Sequence, residues 1–278
     1  MTFWQAIFAG VIQGITEFLP ISSSGHLVIF HALFGYDEES NLAYTIFLHL
    51  ATLLAVFIMF RKDIWTLVRE FFSAIGDCFK GKPDFKTPER RFLLLVVFGS
   101  IPAAIAGAAM VGFGFDDILE NIFVVAVMLL FTAALMYLVD KINRGQYTEK
   151  DAPLKSAWIV GVAQAIALLP GLSRSGTTIF GGLVGGLSKE FAVRFSFILS
   201  IPIILGASLV QLVSVVRTGG IEIEPLYWLL GFVVAFVCGI FAIKFIKVLI
   251  KSSKFYVFTI YCILASAVAF LIGFGVIG

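Results

Sequence analysis

Residues 17–26 read Glu-Phe-Leu-Pro-Ile-Ser-Ser-Ser-Gly-His, which puts a carboxylate, three hydroxyls and an imidazole inside an otherwise apolar run. Residues 170–178, Pro-Gly-Leu-Ser-Arg-Ser-Gly-Thr-Thr, form a second hydroxyl-and-glycine loop with Arg174 at its centre. Serines following a proline are N-cap chemistry for a new helix, and a helix start with open N–H groups and a permissive glycine suits an anion. Arginine's planar fork matches phosphate oxygens and never sheds its charge. Arg174 is also the one Lys or Arg inside a broken apolar segment, where an ionisable group is costly and functional by default. Glu17 and Arg174 could equally serve as a buried ion pair joining the two halves of the chain.

These loops must be positioned by apolar elements. The chain of 278 residues is 60% hydrophobic and 14% charged, with 30 phenylalanines. A soluble domain carries about a quarter charged residues, so this is an all-α polytopic membrane protein. The net charge of +2 is too small to point to a nucleic-acid partner. Cys78, Cys238 and Cys262 lie far apart and imply neither disulfide nor zinc. The N-terminus lacks a basic region and a small-residue cleavage site, so it is expected to be retained. Six stretches are long and apolar enough to cross: 42–60, 92–114, 118–139, 192–216, 226–250 and 255–277. Two more, 3–35 and 156–187, are broken by the polar loops.

Basic residues gather in 61–91, in 140–155, at Lys189 and Arg194, and at Lys244, Lys247, Lys251 and Lys254. Acidic residues gather at Asp37, Glu38 and Glu39, at Asp116, Asp117 and Glu120, and at Glu222 and Glu224. The positive-inside rule makes the first set cytoplasmic and the second external. Segment 156–187 must then enter and leave on one side, and 3–35 is expected to do the same from the other. Two re-entrant helical hairpins, one per face, satisfy this pattern; a single kinked span over 3–35 is the alternative.

The hairpins resemble each other at a constant offset of 151: Gly10, Val11, Gln13, Ile15, Ser22, Ser24 and Gly25 match Gly161, Val162, Gln164, Ile166, Ser173, Ser175 and Gly176. Each is followed by three spans, so an inverted-topology repeat is expected, 1–141 and 152–278, within a single integral membrane domain. Ala6, Gly10, Gln13 and Glu17 share one helix face. "SIP" at 100–102 and 200–202 falls at another offset and reads as helix packing. His31 is expected at the external interface, and His49 as a packed or pore-lining polar residue.

Gln13–His26 and Pro170–Thr178, in that order and separation, resemble the two signature regions of the undecaprenyl-diphosphate phosphatase family, the bacitracin-resistance membrane proteins. The likeness runs essentially full length. It implies a bacterial inner-membrane enzyme that converts undecaprenyl diphosphate to undecaprenyl phosphate, the lipid carrier of cell-wall precursors, with its site opening externally. It also implies a divalent cation, Mg²⁺ or Ca²⁺. The family's motifs fall on Gln13 and Glu17, on Ser22–His26, and on Pro170, Gly171, Ser173, Arg174, Ser175 and Thr178. Some members carry Glu where this chain has Gln13, so a metal held by Glu17 and Gln13 must lean on phosphate and water.

On this resemblance Glu17, Ser23, His26 and Arg174 are the expected catalytic residues. Ser22, Ser24, Gly25, Gly171, Ser173, Ser175 and Thr178 are the expected phosphate-binding groups. Ser23 with His26 as base, His26 itself, or water directly could attack. A polyprenyl-phosphate translocase or secondary transporter is the alternative, since inverted repeats are common there. Besides the lipid substrate, membrane lipids are expected partners, and a homodimer is compatible with the Gly-containing span 99–114.

Overall fold

A computed structural model describes residues 1–35, 42–81, 84–85, 87–113, 121–142, 145–218, 225–252 and 254–277. Among them the regular structure is helical, with one isolated bridge between Tyr147 and Leu187. The helices are α1 (Phe3–Thr16), α2 (Ser23–Phe34), α3 (Leu42–Met59), α4 (Arg61–Phe79), α5 (Pro88–Phe113), α6 (Ile122–Lys141), α7 (Leu154–Ile166), α8 (Arg174–Val184), α9 (Lys189–Thr218), α10 (Pro225–Ser252) and α11 (Tyr256–Gly273).

Helices α5, α6, α9, α10 and α11 are long and apolar enough to cross a bilayer alone. The expected span 42–60 is α3, whose 18 residues reach about 27 Å. It qualifies only together with α4, from which it turns by 89°. Segment 61–91 contains a 19-residue helix, α4, rather than an unbroken loop. Ile64, Leu67, Val68, Phe71, Phe72, Ala74, Ile75 and Phe79 recur at three- and four-residue spacing, a pattern that the charge count over 61–91 concealed. Leu67 and Ala74 face the core, while Trp65, Phe72 and Phe79 are exposed. Arg90 in α5 anchors α4 by bonding Asp77, Glu70 Oε2 at 3.2 Å and Ser73 Oγ at 2.9 Å.

The two broken segments are helical hairpins. Helices α1 and α2 have 14 and 12 residues, about 21 and 18 Å, and α7 and α8 have 13 and 11; none crosses unaided. Each hairpin is tied at its base, because Gln5 Nε2 donates to Phe34 O at 2.9 Å and Ser156 Oγ donates to Gly185 O at 2.5 Å. These two ties are themselves 151 residues apart. Segment 3–35 therefore returns to its own starting face, and the single kinked span does not occur. The α1–α2 base leads into the start of α3, whereas the α7–α8 base follows Lys141 and Lys150 and precedes Lys189.

Packing partners are exchanged between the halves: α1 lies along α10, and α7 along α5. Glycines permit the close approach. A Cβ on Gly14 would meet Ala235 O at 2.5 Å and Cys238 Cβ at 2.6 Å. Pro102, from the first "SIP", sits inside α5 and packs on α7, where a Cβ on Gly161 would lie 2.9 Å from its ring. The acidic residues assigned to the external face, Asp37, Glu38, Glu39, Asp116, Asp117, Glu120, Glu222 and Glu224, lie outside the described residues.

Candidate active site where the hairpin tips meet

Both hairpins break ahead of their second helix in the same way. Ser22 caps α2 by accepting from Gly25 N at 3.3 Å, and Ser173 caps α8 by accepting from Gly176 N at 3.2 Å. Ser22 Oγ lies 3.3 Å from Ser24 Oγ, and Ser173 Oγ 3.2 Å from Ser175 Oγ. Ser22 holds φ 72°, the one non-glycine positive φ among the described residues. Such a conformation costs of order 1–3 kcal/mol and persists where the surroundings over-determine it.

The tips press on each other. A Cβ on Gly25 would come within 3.0 Å of Gly171 Cα, and one on Gly176 within 3.1 Å of Pro20 Cβ. Gly171, at φ 85°, is itself wedged against α6, and Thr132 Oγ1 donates to its carbonyl at 3.0 Å while accepting from Ser173 N at 3.0 Å. Ser175 Oγ crosses to Leu19 O at 3.1 Å.

This contact brings the charged groups together across 157 residues of sequence. The Arg174 guanidinium bonds Glu17 Oε1. Glu17 Oε2 accepts from Ser23 Oγ at 2.7 Å and from Gln13 Nε2 at 3.0 Å. Glu17 is only 7% exposed, so the carboxylate depends on these donors in place of water. A cavity of about 310 Å³ opens beside them, walled by Ser22, Ser23, Ser24, Ser173 and Arg174 from the tips and by His49, Ser208 and Gln211 from α3 and α9.

Not every expected residue faces that cavity. His26 points away: its Nδ1 lies 2.6 Å from Ser22 O, and its Nε2 2.8 Å from Tyr261 OH. A carbonyl only accepts, so Nδ1 carries a proton, and in the neutral ring Nε2 accepts from the tyrosine. The two rings stack with centroids 5.5 Å apart. Glu17, rather than His26, accepts the hydrogen bond from the Ser23 hydroxyl.

Thr178 is buried and tied to Arg174 O at 2.7 Å and Ser196 Oγ at 2.5 Å, bracing α8 from behind. Gly25, Gly171 and Ser175 shape the contact without lining the cavity. His31 is exposed near the end of α2. His49 does line the cavity, on the α3 wall, with Nδ1 2.9 Å from Thr45 O. Sequence reasoning left His49 without a chemical role, and it missed Ser208 and Gln211; no motif surrounds them, and only their helical faces bring them in.

The fold and site define a polytopic membrane protein with an arginine–carboxylate–serine centre between two re-entrant hairpins. Residues 6–268 match the family model described as "Bacitracin resistance protein BacA", and the chain belongs to that family. It is 40% identical to the undecaprenyl-diphosphatase of Methanosphaera stadtmanae over 277 residues, covering 96% of this chain and 97% of that one. The undecaprenyl-diphosphatases of Methanobrevibacter smithii and Alkaliphilus metalliredigens are 40% and 38% identical, covering 96% and 94% of this chain and 96% and 95% of theirs.

Proposed function

We propose that the chain is a membrane phosphatase that hydrolyses undecaprenyl diphosphate to undecaprenyl phosphate and inorganic phosphate, with Ser23 as nucleophile and Glu17 as its base. The observation that carries this reading is the continuous Arg174–Glu17–Ser23 chain at the wall of a hydroxyl-lined cavity. A buried ion pair alone is a weak source of stability, and it would not require a serine aligned on the same carboxylate.

Phosphoryl transfer asks chiefly for positioning and charge stabilisation. Among the described residues Glu17 is the only acceptor that Arg174 engages, which leaves the rest of its fork for phosphate oxygens. The start of α8 adds its dipole, and Ser22, Ser24 and Ser173 add hydroxyls. Serine needs a base within reach to attack, and Glu17 Oε2 is at 2.7 Å. Its proton passes to Glu17 as the Oγ–P bond forms and the bridging P–O bond breaks. That proton then leaves with the lipid phosphate. Glu17 next takes a proton from an attacking water and returns it to Ser23 Oγ as phosphate departs.

Gln13 Oε1 is a buried oxygen with no hydrogen-bond donor, beside the Glu17 carboxylate. With the amide turned so that Oε1 in place of Nε2 faces the carboxylate, Gln13 and Glu17 are the residues that would hold Mg²⁺ or Ca²⁺, hard cations that take oxygen ligands. When bound, such an ion neutralises developing phosphate charge.

The cavity reaches Ser208 and Gln211 near the far end of α9 from Lys189 and Arg194. With the basic face cytoplasmic, this supports a site opening to the external side of the cell membrane. The matched hairpin ties and exchanged packing support the inverted-repeat relation of 1–141 to 152–278. A Cβ on Gly107 or Gly112 of α5 would meet no described residue within 4 Å, which leaves that face for lipid or for a second copy of the chain.

The test is phosphate release from the C55 diphosphate by purified protein, followed by rapid quench with ³²P in the terminal position. Label trapped on Ser23, and loss of turnover in Ser23→Ala, are expected. Label on His26, or full turnover in Ser23→Ala, would remove Ser23 from the mechanism.

A further inference from the structure

A second cavity, of about 610 Å³, lies at the opposite end of the α3–α9 pair, between the α3–α4 corner, the first turns of α9 and the end of α10. Arg194 on its wall and Ala207 on the wall of the first cavity are separated by about 20 Å of α9. Between them stands a column of buried rings, Phe18, Phe197 and Phe60, with successive centroids 5.5 and 5.9 Å apart. The two cavities are separate sites.

Five cations line the second cavity, Arg61, Lys62, Arg194, Lys247 and Lys251, against the two acids Asp63 and Glu190. Asp63 is already engaged, since Arg194 reaches it at 3.1 Å from Nε and 2.6 Å from Nη2. Lys247 is half-buried with its ammonium 4.0 Å from the centre of the Phe60 ring, and it has no carboxylate partner within 4.0 Å among the described residues. Asp63 is the nearest acid that acts on it, and that carboxylate is shared with Arg194, so the ammonium over the ring face keeps attraction for a further anion.

The rest of the wall is apolar. Val193 closes the inner side, and Val248, 70% exposed, lies on the outer side. A free anion has no use for that half, whereas a phosphate carried on acyl chains does. The cavity also sits where the apolar helices α3 and α10 end in basic residues, the level at which Lys and Arg meet lipid phosphates.

We propose that this cavity binds the phosphate headgroup of an anionic membrane lipid. The test uses the full chain in detergent, titrated with dioleoyl phosphatidylglycerol or dioleoyl phosphatidylcholine and read by native mass spectrometry. Phosphatidylglycerol is expected to bind at least about tenfold more tightly. Arg61→Ala with Lys247→Ala should weaken it about 25-fold, roughly fivefold per cation removed, and Lys251→Gln, at an exposed position, about fivefold. Lys247→Arg should retain binding, which separates lost charge from a damaged fold.

Arg174→Ala, in the first cavity, should leave lipid affinity unchanged; a loss there would relocate the lipid and overturn the proposal. Equal affinity for the two lipids, or phosphatidylglycerol binding unaltered in the double variant, would also overturn it. Inorganic phosphate displacing the lipid at the lipid's own concentration would make this a free-anion site and reject the lipid.

Discussion

Arg174 and Glu17 show how far a single residue's role depends on its neighbours. On the proposed mechanism the guanidinium both fixes the carboxylate and keeps donors for phosphate, so Arg174→Ala should lower kcat/KM by about 10²–10³-fold, the scale seen when a preorganised charge donor is removed. Arg174→Lys should recover little of that, because a point charge cannot hold carboxylate and phosphate together. A phosphate-release assay on the purified variants checks both, and near wild-type turnover in Arg174→Ala would remove it from the site. Glu17→Gln keeps the shape but removes the base that the proposed mechanism gives Ser23. It should abolish the burst of labelled Ser23 and also weaken the response to added Mg²⁺, readable by titrating a chelated sample. The motifs displayed these residues; only the structure places Ser23 Oγ 2.7 Å from Glu17 and His26 between Ser22 O and Tyr261 OH.

Among elements, the hairpins set the precision of the site. Their tips touch through Gly25 and Gly171, where a Cβ would sit 3.0 Å from backbone. Gly25→Ala should push α2 away from the second loop and lower turnover while leaving the protein folded, measured as kcat together with an unchanged melting temperature. Gly14→Val acts elsewhere: it wedges α1 from α10, and overpacking of that kind costs about 1–3 kcal/mol. Its signature is a lowered melting temperature in detergent. Hairpin existence was legible because proline, serine and glycine interrupt runs too short to cross. Helix α4 was not, because a high Lys and Arg count masked apolar residues at helical spacing.

At the scale of the whole molecule, the basic ends of α9 and α10 meet at one cavity while Glu17, Ser208 and Gln211 line another, and the proposed orientation puts the second of these outside. Gln211→Cys, in a chain with Cys78→Ser, should react with a membrane-impermeant maleimide applied to intact cells, whereas Lys251→Cys should react only after lysis. Labelling of Lys251→Cys from outside would invert the orientation. The charge separation behind this prediction is a property of composition along the chain, and it needs no coordinates.

The sequence by itself determined a helical membrane protein, the two broken segments, their likeness at a fixed offset, and the residue types for phosphate chemistry. Those are consequences of local composition, turn chemistry and the thickness of a bilayer. Only tertiary structure decided which oxygen reaches Ser23, that His49, Ser208 and Gln211 join the wall, and that five cations of three separate segments enclose a second cavity. Distances between groups more than 150 residues apart follow from how α1 seats on α10 and α7 on α5. Such seating depends on side-chain volumes summed over whole helix faces, which no motif carries.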